Sequence, residues 1–197
     1  MTQPYPPKAQ AVTVDGLPDP RAVPRGFRAQ VAPDGGTRLV VNVPGEELSA
    51  IHLRLLWALS APVSVRYVRL TDRRGQGALP KPQSFVGIDL PLDRIDAALR
   101  AHAALVWHDG RHQLWLRGAL GEQVVLDELG GLYLYPDDPA FRDALVGVPE
   151  GTAVGLDGRD YVKVTFLAEA DVEEDGFIAA LSRQEWPPRA AGGATQA

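Results

Sequence analysis

The feature that most narrows the fold of this chain is a succession of short alternating segments separated by glycine-bearing turns. Phe27, Ala29 and Val31 alternate with other residues, Asp34-Gly35-Gly36 follows, and Leu39, Val41 and Val43 resume the alternation. A period of two places alternate side chains on one face, and Asp-Gly or Gly-Gly supplies the positive φ of a tight reversal, so a β-hairpin is predicted. The same logic pairs 103–108 with 111–117 about Asp109-Gly110, and 122–127 with 132–135 about Gly130-Gly131. Val63, Val65 and Tyr67 alternate in one phase but Val68 and Leu70 in the other, which requires a bulge or cover on both faces. Val86, Ile88 and Leu90 mark another strand, and Val162, Val164 and Phe166 make 161–167 the last.

Helices are interspersed singly. Leu48, Ile51, His52, Leu55, Leu56 and Leu59 recur at three- and four-residue spacing, with Glu46 and Glu47 where the helix dipole favours anions and Pro62 as the stop. A second helix follows Pro91 with Leu92, Ile95 and Leu99 inward, and a third opens at Asp138-Pro139, an N-cap followed by a proline at the first helical position. The last begins at Asp171, where Asp171 and Glu174 have capping-box spacing, and presents Phe177, Ile178 and Leu181. Thr71 to Gln83, with Gly75, Gly77, Pro80 and Pro82, is predicted to be an exposed loop. The sum is a single α+β domain with a mostly antiparallel, curved sheet of about eight short strands and about four helices. Six prolines in the first 25 residues make 1–26 an extended, flexible arm; the domain runs from 27 to 186, and 187–197 is a disordered tail.

Composition excludes several chemistries. The 197 residues contain no cysteine, so disulfides, thiolate metal sites and cysteine nucleophiles are ruled out. No glycine-rich phosphate loop follows a strand, and GxSxG, SxxK and HExxH are absent, so no cofactor and no metal are implied. The N-terminus lacks a basic and apolar signal region and no apolar run approaches the ~20 residues needed to span a bilayer, so the expected setting is cytoplasmic and free of membrane.

The formal charge of −5 gives no global pull toward nucleic acid, but charge is locally uneven. Glu122 to Asp138 holds five acids and no base, and Tyr133 and Tyr135 within it occupy strand positions opposite those assigned to the core, as does Trp115. Aromatic side chains outside a core are characteristic interface anchors. The leading expectation is therefore a non-catalytic adaptor, or a neutraliser of a basic protein, binding through Asp127, Glu128, Tyr133, Tyr135, Asp137 and Asp138. A rival reading puts nucleic acid on the basic segment Arg66, Arg69, Arg73, Arg74 and Lys81, with Arg66 and Arg69 on one face only if the phase change near Tyr67 is a bulge.

An enzyme ranks last: metal-assisted hydrolysis or lyase chemistry in which His108, beside Arg111, converges with Asp127, Asp137 or Asp138. The other histidines have structural explanations. His52 lies in an apolar helical stripe, His102 at a helix C-terminus, and His112 on the core side of its hairpin.

Overall fold

Two of the three glycine turns are where the chain reverses. In the computed structural model, which describes residues 5–19, 25–32, 34–73, 77–151 and 161–181 (backbone only for 77–80), Gly35 and Gly130 both take positive φ. Asp34 Oδ1 accepts from Gly36 N at 3.0 Å, and Asp127 Oδ1 accepts from Leu129 N and Gly131 N at 2.9 and 2.6 Å, so each turn is closed by its own aspartate.

The elements in chain order are β1 (Ala9–Ala11), β2 (Gly26–Val31), β3 (Thr37–Asn42), α1 (Gly45–Trp57), β4 (Val63–Asp72), β5 (Gly77–Leu90), α2 (Leu92–Ala101), α3 (Ala103–His108), β6 (His112–Arg117), β7 (Gln123–Leu126), β8 (Leu132–Tyr135), α4 (Pro139–Ala144), β9 (Val162–Val164) and α5 (Ala170–Leu181). Seven strands form one sheet in the order β2-β3-β8-β7-β6-β4-β5, and β1 pairs with β9 in a separate ribbon. Every strand pairing is antiparallel, so the chain is an α+β fold of the expected kind.

The core lies between the sheet and the helices. Leu39 and Val41, Leu132 and Leu134, Val124 and Leu126, Leu114 and Leu116, and Val65 and Tyr67 all point to one face, where Leu48, Ile51, Leu55 and Leu56 of α1, Ile95 and Leu99 of α2, Leu105 of α3 and Phe177 of α5 join the same apolar cluster. Leu55 and Leu56 are fully buried, and each such side chain contributes about 1.5–3 kcal/mol relative to exposure.

Four local expectations are corrected. Residues 103–108 form helix α3 rather than the first arm of a hairpin: Ala104, Leu105, Val106 and Trp107 are all buried, so the segment has no polar face for alternation to report. A six-residue apolar run is ambiguous between strand and helix, and the alanine-rich approach favours the helix. Asp109-Gly110 is accordingly no surface turn. Both residues are buried, and a Cβ on Gly110 would stand 2.1 Å from Val164 Cγ1 and 2.9 Å from Glu128 O, so glycine is required for close packing rather than for reversal.

The stretch expected to be an exposed loop, Thr71 to Gln83, in its described parts ends β4 and supplies the first half of β5, because backbone pairing with the neighbouring strand does not need apolar periodicity. The expected free arm is also anchored in part: β1 pairs with β9, and Lys8 is almost wholly buried. The expected tail, 187–197, lies outside the described residues.

Candidate interaction surface

The second face of the large sheet carries a different population. Across the strands, in register, stand Arg28 on β2, Val40 on β3, Tyr133 on β8, Val125 on β7, Trp115 on β6, Arg66 on β4 and Val86 on β5. A flanking row runs Gln30, Arg38 and Tyr135 on β2, β3 and β8, then Gln123, Arg117 and Ser64 on β7, β6 and β4. Val40, Val68 and Val125 are buried, yet they belong to neither of the apolar clusters, so their cover is the long side chains standing beside them on this face.

The electrostatics of the face are set by arginine. Arg38 lies over both tyrosines, with its Cζ 4.7 Å from the Tyr133 ring centroid and 5.6 Å from that of Tyr135. Its Nη1 donates to the Tyr135 hydroxyl at 2.5 Å, and Nε and Nη2 donate to Gln30. Arg66 is exposed and donates to Ser84 Oγ from Nε and Nη2 at 3.2 and 2.9 Å; Arg117 is exposed as well. Trp115 is half-buried and held by a 3.3 Å bond from Nε1 to Gln113 Oε1, and Arg28 Nε is buried with no hydrogen-bond partner among the described residues. The acid at the margin is Glu128, which accepts from Gln113 Nε2 at 2.7 Å.

The predicted site residues divide differently from either expected grouping. Tyr133 and Tyr135 stand on the second face, but among arginines rather than carboxylates. Asp127 is occupied by the two backbone donors of its turn; burial, reinforced by Glu128 nearby, pushes its carboxyl up to about 6 against the pull of those donors. Asp137 forms a two-point pair with Arg142 at 2.7 Å through each oxygen, which holds it below the usual carboxylate range. Asp138 caps α4, accepting from Ala140 N at 2.8 Å. The six expected partner residues thus form no common acidic surface, since four of them are engaged by turns, caps or side chains of their own neighbourhood.

The basic track does not form either. Pairing with β6 is unbroken from Ser64 to Arg69, and the irregularities of β4 fall at its ends, so Arg66 and Arg69 project to opposite faces. Arg69 is buried on the helix side, donating to Glu174 at 2.8 Å and to Gln83 at 3.1 Å. Arg73 pairs with Asp171 at 3.8 Å, Lys81 is exposed at the sheet edge, and Arg74 lies outside the described residues. Sequence reasoning missed Arg28, Arg38 and Arg117, although each stands an odd number of residues from its strand's inward side chains and so faces the other way. The signal was present, but assigning it to one surface needs the strand order.

The enzyme arrangement has no geometric support. His108 Nδ1 lies 2.9 Å from Pro6 O and the ring packs on Tyr5. Arg111 is wholly buried instead of bordering a pocket; it pairs with Asp109 at 2.8 Å and Asp171 at 2.7 Å. His112 stacks on Tyr67, His52 Nδ1 accepts from Trp107 Nε1 at 3.1 Å, and burial holds His52 down to about 3. A cavity of about 310 Å³ lined by Lys8, Asn42, Gly45, Leu48 and Gly130 adjoins the first strand, but Lys8 Nζ is directed to Val106 O and His112 Nε2, each at 3.4 Å. Among the described residues no group of three or more histidines and carboxylates could hold a metal ion, and no helix is long and apolar enough to cross a membrane.

Comparison with protein families, with curated proteins and with solved structures finds no match.

Proposed function

We propose that this protein is a non-catalytic binding module whose interaction surface is the second face of the seven-stranded sheet, and that its partner there is anionic. The observation carrying this reading is the register row itself: Arg28, Tyr133, Trp115 and Arg66 align across β2, β8, β6 and β4, with Arg38, Tyr135 and Arg117 beside them. Four cations without a carboxylate in the same rows, on a chain whose net charge is −5, make a concentrated patch that attracts negative charge against the global field. The aromatic rings supply the buried contact area that charge alone does not. This keeps the expected binding role and the tyrosine anchors but reverses the expected sign of the partner.

The test uses three reporters built into the face. Methyl resonances of Val40, Val68 and Val125 are followed by NMR while heparin, a generic polyanion, is added at low salt. Shifts concentrated at these three valines, and weakened in the double variant Arg66→Glu/Arg117→Glu, support the reading. Shifts confined to methyls of the helix side, or none, overturn it.

A further inference from the structure

Resting on that reading, we infer that the occupant of the sheet face is single-stranded nucleic acid, its bases stacked on Trp115 and Tyr133 and its phosphates drawn to Arg28, Arg66 and Arg117. Chemistry alternates along the row. Reading from β2 to β4, guanidinium, aliphatic, phenol, aliphatic, indole and guanidinium follow one another in a single line. Trp115 and Tyr133 are separated by one strand, which at the usual strand spacing puts them about 10 Å apart. Both are half-buried, so part of each ring remains accessible. Neighbouring unpaired bases present flat π faces to such rings while their phosphates reach Arg28 and Arg66, which flank the two rings in the row, and Arg117 beside Trp115 on β6.

The shape of the face disfavours duplex. The seven strands span about 29 Å at the same spacing, whereas a major groove about 12 Å wide admits a helix or a two-stranded ribbon. A sheet of this width cannot read base edges from a groove, and bases within a duplex are already stacked on one another. An unpaired strand lying across the sheet satisfies both the rings and the cations.

The pairing of rings with cations disfavours an acidic polypeptide. Carboxylates would satisfy the guanidinium groups but offer nothing planar to Trp115 and Tyr133, and an extended peptide would have to compete with Gln30, Gln113 and Gln123 for its own backbone bonds. Nucleotides bring the planar group and the anion in one repeating unit. The polar amides at the row's margins then meet base edges without imposing a sequence.

The full-length protein is titrated with fluorescein-labelled ten-nucleotide mixed-sequence DNA and RNA, with the corresponding DNA duplex, and with poly-glutamate, all followed by fluorescence anisotropy. The expected result is binding of a single strand, DNA or RNA, at least tenfold tighter than duplex or poly-glutamate. With three to four phosphates neutralised, log affinity should fall with log salt at a slope of about −2 to −3. Trp115→Ala should weaken single-strand binding about 5- to 150-fold, the range for losing one stacked base, and Trp115→Phe should recover most of it, which separates stacking from damage to the fold. Duplex or poly-glutamate binding as tightly as the single strand, or Trp115→Ala without effect on single-strand affinity, overturns the inference. In those outcomes the methyl shifts produced by heparin still stand, so the broader reading survives; loss of both removes both.

Discussion

The Tyr67 hydroxyl donates a 2.6 Å hydrogen bond to Glu174 Oε1, joining β4 to α5 across 107 residues of chain. Arg69 Nε donates to the same oxygen at 2.8 Å, and Arg111 Nη1 lies 3.8 Å from Glu174 Oε2. Glu174 is therefore a fully buried carboxylate held by a phenol and two guanidinium groups, and it clamps the last helix to the sheet. Replacing it with leucine leaves buried cations short of a counter-charge, and breaking a buried pair in this way costs about 3–5 kcal/mol. Tyr67→Phe removes one donor while Arg69 remains, so about 1 kcal/mol is expected. Urea unfolding midpoints should rank wild type, Tyr67→Phe and Glu174→Leu in falling order; equal midpoints for the last two would contradict the clamp.

Gly110 makes a second prediction of a packing kind. Its position between Val164, Glu128 O and Lys8 O leaves no room for a methyl group, while nothing stands within 4 Å of a Cβ on Gly151. Gly110→Ala should cost about 1–3 kcal/mol as an overpacked site, and Gly151→Ala should be near neutral. Thermal denaturation of the two single variants decides it. Because the clash includes Val164 Cγ1, the double variant Gly110→Ala/Val164→Ala should regain part of the loss.

The neighbourhood of Lys8 makes stability depend on pH in two windows. Burial lowers Lys8 to about 8, against the raising influence of Asp127, Asp109 and Glu128. Between about pH 8 and 10 the unfolded chain holds a proton on Lys8 that the folded chain has released, so stability rises with pH there. Asp127, raised to about 6, keeps its proton in the fold where the unfolded chain has lost it, so stability falls as pH rises from about 4 to 6. Urea titrations at closely spaced pH values should show both trends. Lys8→Met should flatten the alkaline rise, and Asp127→Asn, which can still accept the turn's backbone bonds, should flatten the acid-side fall.

Asp138 separates folding from binding. It caps α4 through Ala140 N, and α4 carries the buried Phe141 into the core. Losing an N-cap costs about 0.5–2 kcal/mol, so Asp138→Ala should lower the melting temperature by a few degrees and leave the affinity of the sheet face for heparin within twofold. A selective loss of affinity with unchanged melting temperature would return Asp138 to the interaction surface.

Much of this architecture follows from local pattern. The hairpin about Asp34-Gly35-Gly36, the stripe of α1, the cap of α4 and the outward setting of Tyr133, Tyr135 and Trp115 all depend on periodicity and turn chemistry within a dozen residues, which a linear reading captures. The misread stretch 103–111 shows where that reading ends. Four consecutive residues of α3, Ala104 to Trp107, are buried, and Asp109, Gly110 and Arg111 owe their burial to Val164, Leu167, Asp171 and Glu174, partners more than fifty residues away.

The candidate surface divides along the same line. Sequence by itself determined which face of each strand a side chain takes, because the two-residue period is local. It did not determine that β8 lies between β3 and β7, or β4 between β6 and β5, and only that order sets Arg28, Tyr133, Trp115 and Arg66 in one row. Nor could it show that neighbouring carboxylates are occupied: Asp137 by Arg142 and Asp127 by its own turn. Charge along a sequence adds up segment by segment, whereas charge on a surface depends on which groups the fold has already paired, and that pairing is a property of three-dimensional contact alone.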